Sequence, residues 1–157
     1  MSNNINVINS DIIDEAYDVY WKDASMLIKD ATPKPVLIIT GTHEKDGTEQ
    51  KQLQKMLEAC KLVNEQYNIL QMENDQKIAW YQLRELLHPK IIFLIGIMPL
   101  QLGISASFKL NEPNNFNDKI WLPTLSINKL EQHADAKKQL WENGMKPVFV
   151  NKLFGEI

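Results

Sequence analysis

One cysteine, Cys60, is too few for a disulfide scaffold. Glycine and proline are scarce, six and seven in 157 residues. That scarcity removes the collagen-like class, and the overall composition removes the disordered and coiled-coil classes. No apolar run reaches the roughly 20 residues that a bilayer crossing needs. The longest, residues 91–100, is interrupted by Gly96 and Pro99. The opening Met1-Ser2-Asn3-Asn4 carries neither the basic nor the apolar stretch of a signal peptide. A basic excess is missing too: 17 Lys and Arg stand against 20 Asp and Glu, a net charge of −3. Proteins that grip nucleic acid through its phosphates show a basic stripe. Here Lys51, Lys55 and Lys61 alternate with Glu49, Glu58 and Glu65, which reads as a solvated helix face. These absences predict a soluble, cytoplasmic protein with no membrane association and no strong nucleic-acid binding of its own.

What is present is an ordinary globular composition, 44% hydrophobic and 24% charged. The length suits one domain, which at this size buries about 68–70% of the surface its unfolded chain exposes. Residues 1–32 read as a separate N-terminal arm. After an Asn- and Ser-rich start, Ser10 is placed to cap a helix whose first turns hold Asp11, Asp14 and Glu15. Ile12, Ile13, Ala16, Val19 and Tyr20 recur at helical spacing. Such an apolar face either docks in a partner's groove or packs on the chain's own sheet. Thr32-Pro33-Lys34-Pro35 ends any helix, because a proline drives its predecessor out of the α region.

Residues 33–157 read as a single α/β domain. Pro35-Val36-Leu37-Ile38-Ile39-Thr40 and Ile91-Ile92-Phe93-Leu94-Ile95-Gly96 are uninterrupted aliphatic runs, the mark of strands covered on both faces. Between them the pattern predicts a helix over 48–63, a short strand over 67–72, and a second helix starting at Asn74-Asp75 and stopping before Pro89. Residues 104–110 read as an edge strand or a loop, 111–115 as turn-rich, and 120–123 as a return to the sheet. Ser126 is placed to cap a final helix, with Gly144 at its C-terminal cap and Pro147 beyond. Residues 148–150 would then pack back on the body. The expected fold is three-layered, with a mostly parallel central sheet and helices on both faces.

Chemistry is harder to find. The loop Thr40-Gly41-Thr42-His43-Glu44-Lys45-Asp46-Gly47-Thr48 leaves a strand and enters a helix, the usual ligand position in α/β proteins. It matches neither G-x-G-x-x-G nor G-x-x-x-x-G-K-[ST]. His43, His88 and His133 lie far apart in sequence and fit no zinc spacing, so neither a metal nor a cofactor is expected. His43, Glu44 and Asp46 are the one cluster with acid–base potential. Cys60 belongs to an apolar helix stripe, and Ser105 and Ser107 lack a nucleophile elbow. The loop Gly96-Ile97-Met98-Pro99-Leu100-Gln101-Leu102-Gly103-Ile104 is unusually apolar: exposed, it is an interaction surface; covered, it is core.

The tail carries a resemblance. Trp121-Leu122-Pro123-Thr124-Leu125-Ser126, Asn128-Lys129-Leu130, and the Ala134 to Lys137-Lys138-Gln139-Leu140-Trp141 stretch resemble the end of the psi subunit of bacterial DNA polymerase III. The apolar strand after an N-terminal arm is similar as well. The resemblance implies a uracil-DNA-glycosylase-like fold without catalysis, in an accessory protein of the replicative clamp loader. It also implies an arm that docks on clamp-loader ATPase subunits. Ile12, Ile13, Ala16, Tyr17, Tyr20 and Trp21 would supply that contact, although this arm is acidic where the family's is basic. The glycosylase Gly-Gln-Asp-Pro-Tyr motif is replaced by Thr40-Gly41-Thr42-His43-Glu44, and the His-Pro-Ser loop has no counterpart. The alternative is a divergent glycosylase-like or nucleotide-processing enzyme that uses His43, Glu44 or Asp46 at the carboxyl ends of the strands.

Overall fold

In a computed structural model, which describes residues 31–157 and the backbone of residues 21–22, the two aliphatic runs lie side by side at the centre of a five-stranded sheet. In chain order the elements are β1 (Trp21–Lys22), β2 (Val36–Gly41), α1 (Thr48–Ala59), β3 (Tyr67–Met72), β4 (Lys77–Ile78), α2 (Trp80–Leu87) and β5 (Ile91–Ile95). There follow β6 (Asn114–Phe116), β7 (Lys119–Thr124), α3 (Ile127–Gln132), α4 (Ala134–Gln139) and a π-helical segment, Leu140–Val150. The main sheet has the order β3-β2-β5-β7-β6, parallel except for the antiparallel edge strand β6.

Burial on both faces explains why β2 and β5 are continuously apolar. Val36 and Ile38 of β2, with Ile91, Phe93 and Ile95 of β5, face one layer. Leu37, Ile39, Ile92 and Leu94 face the other. The first layer contains Leu53, Met56, Leu57 and Cys60 from α1 and its C-cap, Ile127 and Leu130 from α3, and Val148 and Phe149 from the π segment. The second contains Ile78, Leu83 and Leu87, with Trp80 edge-on to Trp121 at a 4.7 Å centroid separation. The expected α/β architecture, with a mostly parallel sheet between helical layers, is therefore observed.

Several local expectations are corrected. The second helix starts at Trp80, not at Asn74-Asp75. Glu73 and Gln76 close a turn instead, through Gln76 N–H to Glu73 O and Glu73 N–H to Gln76 Oε1. Ile78 then reaches the core from an extended β4, whose backbone pairs in parallel with β1. That pairing supplies the main-chain hydrogen bonds a helical turn would otherwise have made. The first helix ends at Ala59, four residues before the expected end at Val63. Lys61 is left-handed (φ 60°), and Leu62 N–H closes on Leu57 O. Asn114 and Asn115, the end of the stretch 111–115 read as turn-rich, belong to strand β6.

The final helix is broken. Ser126 does cap α3, its Oγ accepting from Lys129 N–H at 3.4 Å. The chain then turns at His133 into α4 and widens into the π segment, which contains both Gly144 and Pro147. Gly144 is therefore not a helix terminator. It is small because Leu122 Cδ1 and Asn111 O lie 2.7 Å and 3.1 Å from where its β-carbon would stand. Pro147 lacks an N–H and would clash with the preceding turn of an α-helix; the wider winding accommodates its ring. Pro123 is accepted within β7 because β6 pairs only as far as Trp121, so no ladder hydrogen bond is lost.

Candidate functional site

At the carboxyl ends of β5 and β7 the chain opens into a cleft of about 600 Å³. One wall is the loop that follows β5, the other the turn between β7 and α3. The two are locked together at the floor. Gly96 is left-handed (φ 72°), and its N–H donates to Thr124 O at 2.9 Å. This brings its backbone against Ser126. Beneath, Asn111 and Thr124 are both buried, with Thr124 Oγ1 donating to Asn111 Oδ1 at 2.6 Å. Asn111 Nδ2 donates to Gln139 Oε1, and Asn111 N–H to Pro123 O. Buried polar groups satisfied in this way make a rigid base.

The apolar loop proves to be both interaction surface and core. Ile97, Leu102 and Ile104 are buried, whereas Met98 and Leu100 are 64% and 66% exposed. Both line the cleft, as does half-exposed Leu110. Among the described residues Lys129 is the only charged side chain in the lining. Among the described residues it makes no ion pair. The remaining polar lining consists of hydroxyls and an amide: Ser105, Ser107, Thr124, Ser126 and Asn74. The sequence singled out the 96–104 loop, Ser105 and Ser107. It gave no sign that Leu110 and Lys129, from other elements, complete the same rim.

The acid–base cluster lies elsewhere, on the loop after β2. His43 Nδ1 is 3.2 Å from Gly41 O, and its Nε2 is 3.5 Å from the Gln71 amide. His43 N–H donates to Gln71 Oε1. Its ring thus faces a second cleft, of about 450 Å³, lined by β3 and α1 and including Gln50, Gln54, Asn68 and Ile69. Asp46 is left-handed at the entry to α1, and its N–H is held by the Gln50 side chain. It lines a different groove, along α1 with Thr48 and Lys51. Glu44 is exposed and accepts from Gly47 N–H through its main chain only. Of the three sequence neighbours, His43 and Asp46 thus line different clefts, and Glu44 lines neither. Among the described residues no group of three His, Cys, Asp or Glu stands in a metal-binding arrangement.

Of the arm residues, Ile12, Ile13, Ala16, Tyr17 and Tyr20 lie outside the described residues, and Trp21 is placed only through its backbone, in β1. The residues that carry the family resemblance are largely structural: Trp121, Leu122, Leu130 and Leu140 are all buried. Cys60 is buried as well, and desolvation pushes its thiol pKa up to about 12, which removes it from nucleophilic chemistry near neutral pH. Among the described residues no helix is long and apolar enough to cross a membrane. Comparison of the sequence with models of protein families and with curated proteins finds no match.

Proposed function

We propose that this chain is a non-catalytic adaptor, resembling the psi subunit of the DNA polymerase III clamp loader and acting in replication through protein contacts. One observation carries the reading. Met98, Leu100 and Leu110, three large apolar side chains at least half exposed, line one cleft at the carboxyl ends of β5 and β7. Isolated exposed apolar residues are normal on a protein surface, whereas a convergent set rimmed by polar groups marks a contact site. Acid–base catalysis there would require titratable groups within hydrogen-bond reach of a substrate. Among the described residues the lining supplies hydroxyls, an amide and one ammonium group.

In this reading, ATP hydrolysis belongs to the partner, and this chain contributes recognition. Titration of the full chain against purified clamp-loader ATPase subunits tests the proposal, with association expected at micromolar concentration or below. Absence of any complex in that range, or release of free uracil from uracil-containing single strands that is abolished by His43→Ala, overturns it.

A further inference from the structure

The wall of the cleft contains an unused strand edge. Burial alternates along Ile104, Ser105, Ala106, Ser107 and Phe108, from buried to exposed to half-buried, exposed and half-buried again. That is the period of an extended chain. Yet among the described residues this stretch pairs with no strand. Ile104 N–H is used by Pro99 O, and Lys109 is tied through both main-chain groups to the Asn114 side chain. Between them, the main-chain groups of Ser105, Ala106, Ser107 and Phe108 make no hydrogen bond among the described residues. A row of free N–H and C=O groups beside a groove is a template for a further strand.

We propose that this cleft takes an extended peptide segment of a partner protein, which adds as a strand along Ser105, Ala106, Ser107 and Phe108. This deepens the adaptor reading and rests on it. Side chains of an added strand alternate, so every second residue of the guest enters the cleft. There Met98, Leu100 and Leu110 favour a large apolar anchor. Lys129, which among the described residues has no ion-pair partner and no acidic neighbour in the lining, calls for a carboxylate near that anchor. The guest is thus an acidic, apolar-anchored, extended peptide. Phe108 anchors the stretch through ring contacts, 5.8 Å from Phe116 and 5.5 Å from Trp121.

The test uses the full chain and a phage-displayed library of random peptides about a dozen residues long. Selected peptides are expected to share an apolar anchor and a nearby acidic residue. Leu100→Asp is expected to weaken them at least about tenfold, as truncation at a hot spot does, and Lys129→Glu to weaken them severalfold. N-methylation walked along a selected peptide is expected to abolish binding at every second position, the signature of main-chain pairing. An empty selection, or peptides indifferent to Leu100→Asp, overturns the site. N-methyl sensitivity without the two-residue period overturns strand addition. The adaptor reading fails separately. A clamp-loader complex held equally well by wild type and Leu100→Asp sinks this inference alone. Peptides that bind as expected, with no clamp-loader complex, sink the proposed clamp-loader function and leave the peptide site standing.

Discussion

Gly96 and Ser126 stand so close that a β-carbon on Gly96 would lie 2.8 Å from the Ser126 β-carbon and 2.9 Å from its α-carbon. Gly96 also has φ of 72°, a region that side chains rarely occupy. The end of β5 and the cap of α3 therefore share a contact that only glycine permits. Gly96→Ala is expected to cost about 2–4 kcal/mol, combining left-handed strain with overpacking. Gly41→Ala is the control: nothing lies within 4 Å of its added β-carbon, and its stability should change by less than about 1 kcal/mol. Urea unfolding midpoints of the two variants compare the costs directly.

The Thr124–Asn111 hydrogen bond is the second fixed point under the cleft. Thr124→Val keeps the shape but deprives the buried Asn111 Oδ1 of its donor. An unsatisfied buried acceptor costs about 1–3 kcal/mol. The loss should appear as a lower urea midpoint with an unchanged slope. A midpoint equal to wild type would mean that the pair contributes nothing to the rigidity of the cleft floor.

Cys60 provides a probe of global unfolding. With its pKa raised from 9.0 to about 12 by burial, the native thiol at pH 8 holds roughly a thousandfold less thiolate than an unfolded one. Thiol-reactive reagents should therefore modify the folded protein at the rate set by its opening. The sign of the pH dependence follows. The raised native pKa means that the unfolded thiol ionises first, so stability falls as pH rises from 9 toward 12. Rapid modification in the native state at pH 8 would contradict the buried position.

Met98 and Leu100 present their side chains mainly to solvent. Met98→Ser and Leu100→Ser are expected to leave stability within about 0.5 kcal/mol of wild type. Leu102→Ser and Ile104→Ser, on the same loop but buried, should each cost several times more, on the order of 2–5 kcal/mol. Thermal melts of the four variants sort the loop into its exposed and core halves. Uniform losses would show that the rim is structural.

The tertiary arrangement made both kinds of loop residue from one apolar sequence, and the same division runs through the molecule. Val36 to Ile39 and Ile91 to Ile95 could be read as doubly covered strands because strand burial on both faces leaves no room for a polar alternate. The amphipathic stripe of α1 and the Ser126 cap were legible for an equally local reason: each depends on residues three or four apart. By contrast, Lys77–Ile78 joined the helical pattern ahead of it, and only pairing with Trp21–Lys22, far off in sequence, makes it extended. Gly144 looked like a helix terminator because what it spares, the approach of Leu122 and Asn111, comes from another part of the chain. His43, Glu44 and Asp46 looked like a cluster by adjacency alone; His43 turns toward Gly41 and Gln71, whereas Asp46 lines the groove along α1.

By itself, then, the sequence determined the layered α/β plan, since hydrophobic periodicity is a property of neighbouring residues. Tertiary structure decided the rest: which end of the sheet opens, that Leu110 and Lys129 meet Met98 and Leu100 there, and that Ser105 to Phe108 find no main-chain partner among the described residues. Those facts depend on contacts between distant segments, and the free energy of such contacts leaves no periodic trace along the chain.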